Sequence, residues 1–255
     1  MLEIKSASNP KFKYFKSLLD KKGRVSEYTV EGIKSVSDAI SAGCDVSAVL
    51  VTEKQLKSVP EAYDGEIYVL ADFLMEKMSD TKTPQGIVAV IRKNAAETPD
   101  MASDGLYIYC DGVSDPGNLG TIIRTADSAG FSGVLLSRGC VDVYNPKTVR
   151  SCMGSFFHIP IYENVSEEFL SEFTASGGGV YGGILSGETV DYREPDYGIK
   201  TMIVIGNEAN GISDKVKEMC IPVKIPIYGR AESLNAAVAG AILMYEVSNR
   251  INKNI

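Results

Sequence analysis

Arg124 is the first residue whose setting calls for chemistry. The segment Asp111-Gly112-Val113-Ser114-Asp115-Pro116-Gly117-Asn118-Leu119-Gly120-Thr121-Ile122-Ile123-Arg124 follows an apolar, strand-like run and turns through Pro116 and Gly117. Leu119, Ile122, Ile123, Ala126 and Ala129 then recur at helical spacing, which turns Thr121, Arg124 and Ser128 to the opposite face. Asn118 stands where an N-cap belongs, and Gly130 where a helix stops. Capping accounts for Asn118 but not for an arginine held just inside a helix whose glycine-rich first turn offers N–H groups to an anion.

Two later segments share this density. Gly206-Asn207-Glu208-Ala209-Asn210-Gly211 follows the most apolar strand, and its amides suggest a tight loop exposing backbone N–H and C=O groups at the strand's carboxyl end; a plain turn is the competing reading. In Ile225-Pro226-Ile227-Tyr228-Gly229-Arg230-Ala231-Glu232-Ser233-Leu234-Asn235 a strand gives way to a helix from Ser233 to Val247. Its Ala236, Ala237, Ala239, Gly240 and Ala241 allow close approach of a neighbour, although Gly240 costs about 1 kcal/mol relative to alanine.

Other chemistries find little support. Cys44, Cys110, Cys140, Cys152 and Cys220 are odd in number, scattered and without C-x-x-C spacing, so they read as reduced thiols rather than a disulfide framework or zinc site. The single histidine, His158, lies in the apolar run Phe156-Phe157-His158-Ile159-Pro160 and reads as a structural strand residue. Gly177-Gly178-Gly179-Val180-Tyr181-Gly182 matches G-x-G-x-x-G, but a helical stretch precedes it and a strand-like one follows, the reverse of a dinucleotide site. No apolar run reaches the ~20 residues of a membrane helix, and no signal peptide is expected at the N-terminus; a cytoplasmic protein is expected.

The net charge of -7 speaks against nucleic acid, but the charges are unevenly distributed in a way that favours it. Residues 1–34 hold eight basic side chains (Lys5, Lys11, Lys13, Lys16, Lys21, Lys22, Arg24, Lys34) against four acidic ones. Phe12, Tyr14 and Phe15 between the lysines suit stacking on bases, while an amphipathic helix with its aromatics in a core is the alternative. Residues 1–96 carry 14 basic and 13 acidic side chains, leaving -8 for the rest.

Positioning these residues requires two α/β domains. Over 1–96, strand-like runs at Tyr28-Val30, Ala48-Thr52, Ile67-Leu70 and Gly86-Ile91 alternate with helical stretches at Ile33–Ala42 and Phe73–Met78. Residues 97–104 read as a linker. Over 105–255, strands at Leu106–Cys110, Gly133–Leu136, Thr201–Ile205 and Val223–Ile227 alternate with helices, which predicts a mostly parallel sheet with ligands beyond its carboxyl ends.

Together the three segments resemble the motifs of the SpoU (TrmH-like) class of RNA ribose methyltransferases: Asn118-x-Gly120-x-x-x-Arg124, Gly206-Asn207-Glu208-x-x-Gly211, and Ile225-Pro226 through Ser233-Leu234-Asn235. The front part, Ser8-Asn9-Pro10-Lys11 through Glu31-Gly32, is similar to the L30e-like substrate-binding domain of several members. The resemblance implies a C-terminal trefoil-knotted domain (SPOUT class), S-adenosylmethionine as methyl donor, a ribose 2′-hydroxyl of ribosomal or transfer RNA as acceptor, ribosomal favoured, a homodimer, and no metal or membrane.

Carried over by position, the resemblance assigns Arg124, Asn118, Glu208, Ser233 and Asn235 to the reaction centre, and Gly206, Asn207, Ile225 and Leu234 to the cofactor. Asn145 to Ser155, with Lys147, Arg150, Ser151 and Gly154, resembles an RNA-facing segment, which joins Lys11, Lys13, Lys16 and Arg24 of the basic arm. Ala236-Ala237 and Cys152-Met153 depart from the usual residues, which leaves substrate choice open. The family's usual proposal makes Arg124 the proton acceptor. A guanidinium keeps its proton at neutral pH, so the preferred roles are to hold an adjacent phosphate and to stabilise the developing alkoxide. That phosphate or Glu208 would then assist proton removal. A non-catalytic RNA-binding module with the same knot is the alternative, and a nicotinamide oxidoreductase a more distant one.

Overall fold

The computed structural model describes residues 1–79, 81, 83–94, 98–100, 103–185 and 187–253. Of the expected linker, Glu97, Met101 and Ala102 lie outside these. In chain order the elements are β1 (Leu2–Ile4), α1 (Pro10–Ser17), β2 (Glu27–Glu31), α2 (Ile33–Ser41), β3 (Val46–Thr52), β4 (Glu66–Leu70), α3 (Asp72–Met78) and β5 (Ile87–Arg92). There follow β6 (Gly105–Asp111), α4 (Pro116–Ser128), β7 (Gly133–Leu136), α5 (Pro146–Cys152), β8 (Ile161–Tyr162), α6 (Glu168–Ala175) and β9 (Gly179–Gly183). The last are β10 (Val190–Asp191), β11 (Lys200–Gly206), α7 (Asp214–Lys217), β12 (Ile221–Lys224) and α8 (Ala236–Lys253).

Two compact units result, one of Met1–Asn94 with Asp142–His158, the other of Ala95–Val141 with Ile159–Ile255. The first unit therefore takes in a segment from the second half of the sequence. Its sheet has the order β1-β4-β3-β5-β2, with β5 antiparallel to both neighbours. The unbroken apolar run Ile87-Val88-Ala89-Val90-Ile91 is buried throughout, as a central strand requires.

Asn9 starts α1 by accepting hydrogen bonds from Lys11 N–H (2.9 Å) and Phe12 N–H (3.4 Å), with Pro10 in the first turn. Phe12 and Phe15 are buried in the core with Leu50, Tyr68 and Leu74, so they are not free to stack on bases. The amphipathic alternative holds for them, because the helix has no other apolar stripe to anchor it. Lys11, Lys13 and Lys16 remain exposed on its outer side.

The position of Arg24 corrects its assignment to RNA. Its side chain is 3% exposed and pairs with Asp142 through Nε (2.9 Å) and Nη2 (2.8 Å), while Nη1 donates to the carbonyls of Leu18 and Leu19. A guanidinium so enclosed ties 142–158 to the front sheet instead of meeting phosphate. Tyr28, Tyr144 and Phe156 pack around the same segment, with Lys93 over the Tyr144 ring at 4.1 Å. His158 is not on a strand: it is exposed and ends the 3-10 turn Met153–Phe157.

In the second unit seven strands run parallel in the order β10-β12-β9-β11-β6-β7-β8. One face packs Tyr107, Tyr109, Met202 and Val204 against Phe169, Leu170 and Phe173 of α6. On the other, α8 lies close at Gly240, where a Cβ would meet Ile205 at 3.4 Å, Ile108 at 3.6 Å and Ile122 at 3.9 Å. That close approach explains the small residues of α8. Beyond Lys224 the backbone leaves the sheet, so the strand expected through Ile227 ends three residues earlier, and Pro226 cannot donate to a ladder.

Candidate active site

The site forms where β6 and β11 end side by side, in register from Lys200 opposite Gly105 to Gly206 opposite Asp111. After β6 the chain turns at Gly112 (φ +71°), and Asp115 caps α4 by accepting from the Asn118 N–H at 2.8 Å. Asn118 is thus inside the first turn and is not the cap, because Pro116 sets the helix start two residues earlier. An acid at the cap also takes up an N–H that the sequence offered to an anion.

This shift frees the Asn118 side chain. Its Nδ2 donates to Glu208 Oε1 at 2.8 Å, and its Oδ1 accepts from Asn235 Nδ2 at 2.9 Å. Asn235 Oδ1 in turn accepts from the N–H groups of Ala237 (2.9 Å) and Val238 (3.3 Å). Asn235 therefore caps α8, which begins at Ala236 and not at Ser233. One chain of amides joins all three motifs.

Glu208 anchors that chain. Its carboxylate accepts from Ser114 N–H (3.1 Å), Ser114 hydroxyl (2.8 Å), Asp115 N–H (3.1 Å) and Asn118. Partial burial pushes its pKa up, but the hydrogen bonds from Asn118 and Ser114 outweigh this and hold it at about 2. With its lone pairs occupied and so little basicity, Glu208 is a poor proton acceptor at neutral pH. That geometry suits a positioning part better than the part in proton removal expected of it.

Asn207 is also committed. Its Oδ1 accepts from Ala209 N–H (2.9 Å) and Asn210 N–H (3.1 Å), and its Nδ2 donates to the Gly112 carbonyl (2.8 Å) and Ser114 Oγ (3.3 Å). Asn207 and Gly211 exchange both backbone hydrogen bonds. The loop thus satisfies the N–H groups that the sequence suggested it would expose. Gly206 is obligatory here: a Cβ would lie 2.1 Å from the Gly211 carbonyl carbon.

Beside this loop lies a cavity of about 330 Å³, at the carboxyl ends of β9, β11 and β12 and against the start of α8. Gly206, Asn207, Glu208, Ile225, Ser233 and Leu234 line it; Asn118, Arg124 and Asn235 lie outside its lining. Sequence reasoning missed Gly183, Ile184, Leu185, Lys217 and Lys224. Gly183 directly follows the glycines set aside as a false dinucleotide motif, and a Cβ there would press on Leu243 at 3.3 Å. The others had none, being unremarkable until the fold brought the ends of β9, α7 and β12 together.

Arg124 is exposed on the outer face of α4, as its spacing predicts, and its guanidinium makes no hydrogen bond or ion pair among the described residues. In the first unit, Asn145 caps α5 by accepting from Lys147 N–H (2.9 Å), leaving the Lys147 side chain exposed. The Ser151 hydroxyl donates to the Lys147 carbonyl (2.8 Å), and Arg150 is half-buried beside Leu19 and Glu31.

The chain matches the SpoU rRNA Methylase family over residues 105–245 and the MRM3-like substrate binding domain over residues 9–89. It is 36% identical to the Bacillus subtilis 23S rRNA (guanosine(2553)-2′-O)-methyltransferase RlmP, over 97% of this chain and 99% of that one. It is 31% identical to the Streptomyces viridochromogenes 23S rRNA (uridine(2479)-2′-O)-methyltransferase, over 97% and 92%. The crystal structure of an AdoMet-bound rRNA methyltransferase from Sinorhizobium meliloti superimposes with a TM-score of 0.87 at 32% identity, covering 98% of each chain. With its motifs joined around one cavity and these relatives spanning nearly its whole length, the chain belongs to the SpoU rRNA methylase family.

Proposed function

We propose that this protein transfers a methyl group from S-adenosylmethionine to a ribose 2′-hydroxyl of ribosomal RNA. The observation that carries this reading is the amide chain from Glu208 through Asn118 to Asn235, which fixes the three motifs at the edge of the cavity. The cofactor supplies an activated methyl on sulfur, and the residues present fit it. The cavity is of ligand size, with apolar walls at Ile205, Leu234 and Leu243 and close backbone approach at Gly206.

The division of labour follows from charge and exposure. Methyl transfer needs the nucleophile held in line and its developing charge stabilised. Arg124, exposed and uncommitted among the described residues, is suited to a substrate phosphate and the nascent alkoxide. Ser233, on the cavity lining, completes the centre. Lys11, Lys13, Lys16 and Lys147, all exposed in the first unit, supply the RNA contacts, as a substrate-binding front domain requires. Ribosomal RNA is favoured because both relatives named above act on 23S rRNA.

Three further properties belong to this reading: the trefoil knot, a cytoplasmic location and a homodimer. No helix among the described residues is long and apolar enough to cross a membrane. Val238 and Tyr245, 47% and 46% exposed, lie two turns apart on one face of α8 and offer a dimer an apolar surface. A catalytic enzyme is preferred over a binding module because Asn118, Arg124, Glu208, Ser233 and Asn235 are all present. Incubation with labelled S-adenosylmethionine and protein-free ribosomal RNA tests the reading: a modified nucleotide should appear, resistant to alkaline cleavage at one position. Absence of transfer to any ribose would overturn it.

A further inference from the structure

The first unit holds a second cavity, of about 230 Å³, that the site above does not use. It lies between the end of β3, the 3-10 turn Glu53–Ser58, α3 and the turn entering β5. That volume falls just below the range for drug-sized ligands and suits one small planar group.

At its rim Lys54 pairs with Asp72 at 2.6 Å beside Glu76, while the rest of its polar lining is uncommitted. Thr52 is only 7% exposed, and its hydroxyl, which lines the cavity, has no hydrogen-bond partner among the described residues, so it is open to a ligand there. Gln55 accepts from the Ser58 hydroxyl (2.8 Å) and Gln85 accepts from Ile33 N–H (2.9 Å), so the amide NH2 of each has no partner among the described residues. Gly86, at φ +78°, keeps the space open: a Cβ there would lie 2.8 Å from Thr52 Oγ1 and 3.0 Å from Gln55 Cγ. Buried Met75 supplies an apolar surface.

A hydroxyl, two amides and an apolar surface around a small cleft match a nucleobase, which has an apolar face and a hydrogen-bonding edge. Single-stranded RNA is read in this way, by bases splayed out of the stack into pockets. We propose that this cavity receives one unstacked base of the RNA substrate, other than the methylated nucleotide, and so helps to choose the target. The proposal rests on the RNA-methylating reading.

The test uses the full-length protein and a protein-free 23S rRNA transcript, with binding followed by filter retention and methyl transfer in parallel. Thr52→Val removes the hydroxyl with little change of shape, and Gln55→Trp fills the cleft; thermal unfolding and S-adenosylmethionine affinity confirm that both variants are folded. Each should weaken RNA binding and raise the KM for RNA about tenfold, the scale on which one base-reading interaction discriminates, with kcat at saturating RNA unchanged. Affinity for the transcript equal to the parent's in both folded variants would overturn the proposal, and is also the result expected if the cleft takes a protein side chain. Weakened binding without methyl transfer by any form, the parent included, would instead overturn the activity and leave the base pocket standing.

Discussion

The Asn118 side chain donates to the Glu208 carboxylate at 2.8 Å although 90 residues separate them in sequence. Because Asn118 also accepts from Asn235, a carboxylate on one loop sets the position of an amide on one helix and of the cap of another. In the proposed reaction Glu208 acts through geometry, and the residue left for the substrate's charge is Arg124.

Arg124→Ala should leave S-adenosylmethionine binding near normal while kcat falls roughly 10²- to 10³-fold, as when one preorganised donor is removed. Arg124→Lys should recover little, since the ammonium lacks the planar fork. Calorimetric titration with the cofactor beside single-turnover methylation separates these outcomes. Normal turnover in the alanine variant would remove Arg124 from the reaction centre.

For Glu208 the sign of the pH dependence is fixed by its lowered pKa. Its carboxyl sits at about 2 in the folded protein, below the ordinary 4.5, so its contribution to stability is complete above about pH 4.5 and fades as pH falls toward 2. No step in the pH–rate profile between about pH 5 and 8 should belong to it. Glu208→Gln places an NH2 among four donors, and should lower both the melting temperature and turnover, the latter by up to about a hundredfold through misplacement. If instead the variant melted normally but lacked an acidic limb of the rate profile that the parent shows, Glu208 would be a base.

Gly206→Ala and Gly211→Ala make a pair. The first drives a methyl into backbone 2.1 Å away, whereas the second meets no atom within 4 Å and has only its φ of +69° against it. The first should reduce cofactor affinity by more than about tenfold and cost about 1–3 kcal/mol of stability or more, the second about 1 kcal/mol. Equal tolerance of both, by calorimetry and thermal melting, would contradict the close loop packing.

The basic residues of the front unit should divide into two kinds. Arg24→Met leaves the mostly enclosed Asp142 without its partner and should cost about 3 kcal/mol in denaturant unfolding. Lys13→Glu with Lys16→Glu should change stability by no more than about 0.5 kcal/mol, yet reduce the slope of log affinity for RNA against log salt by about one for each phosphate no longer neutralised. A stable Arg24→Met with a reduced salt slope would return Arg24 to the RNA surface.

Local pattern determined much of this protein. The apolar run before Asp111 and the helical spacing that exposes Arg124 were legible because each depends on residues within a few positions of one another. The three motifs were legible for the same reason, since each is contiguous. Roles that depend on partners far along the chain were not. Arg24 looks like its neighbouring lysines until Asp142, 118 residues away, encloses it. Asn118 looks like a cap until Asp115 takes that place and Glu208 and Asn235 take its amide. Glu208 looks like a base until four donors converge on it. A side chain's type is written in the sequence, but its partners, and with them its charge state and its freedom to meet a substrate, are decided only when the strands are ordered and their ends brought together.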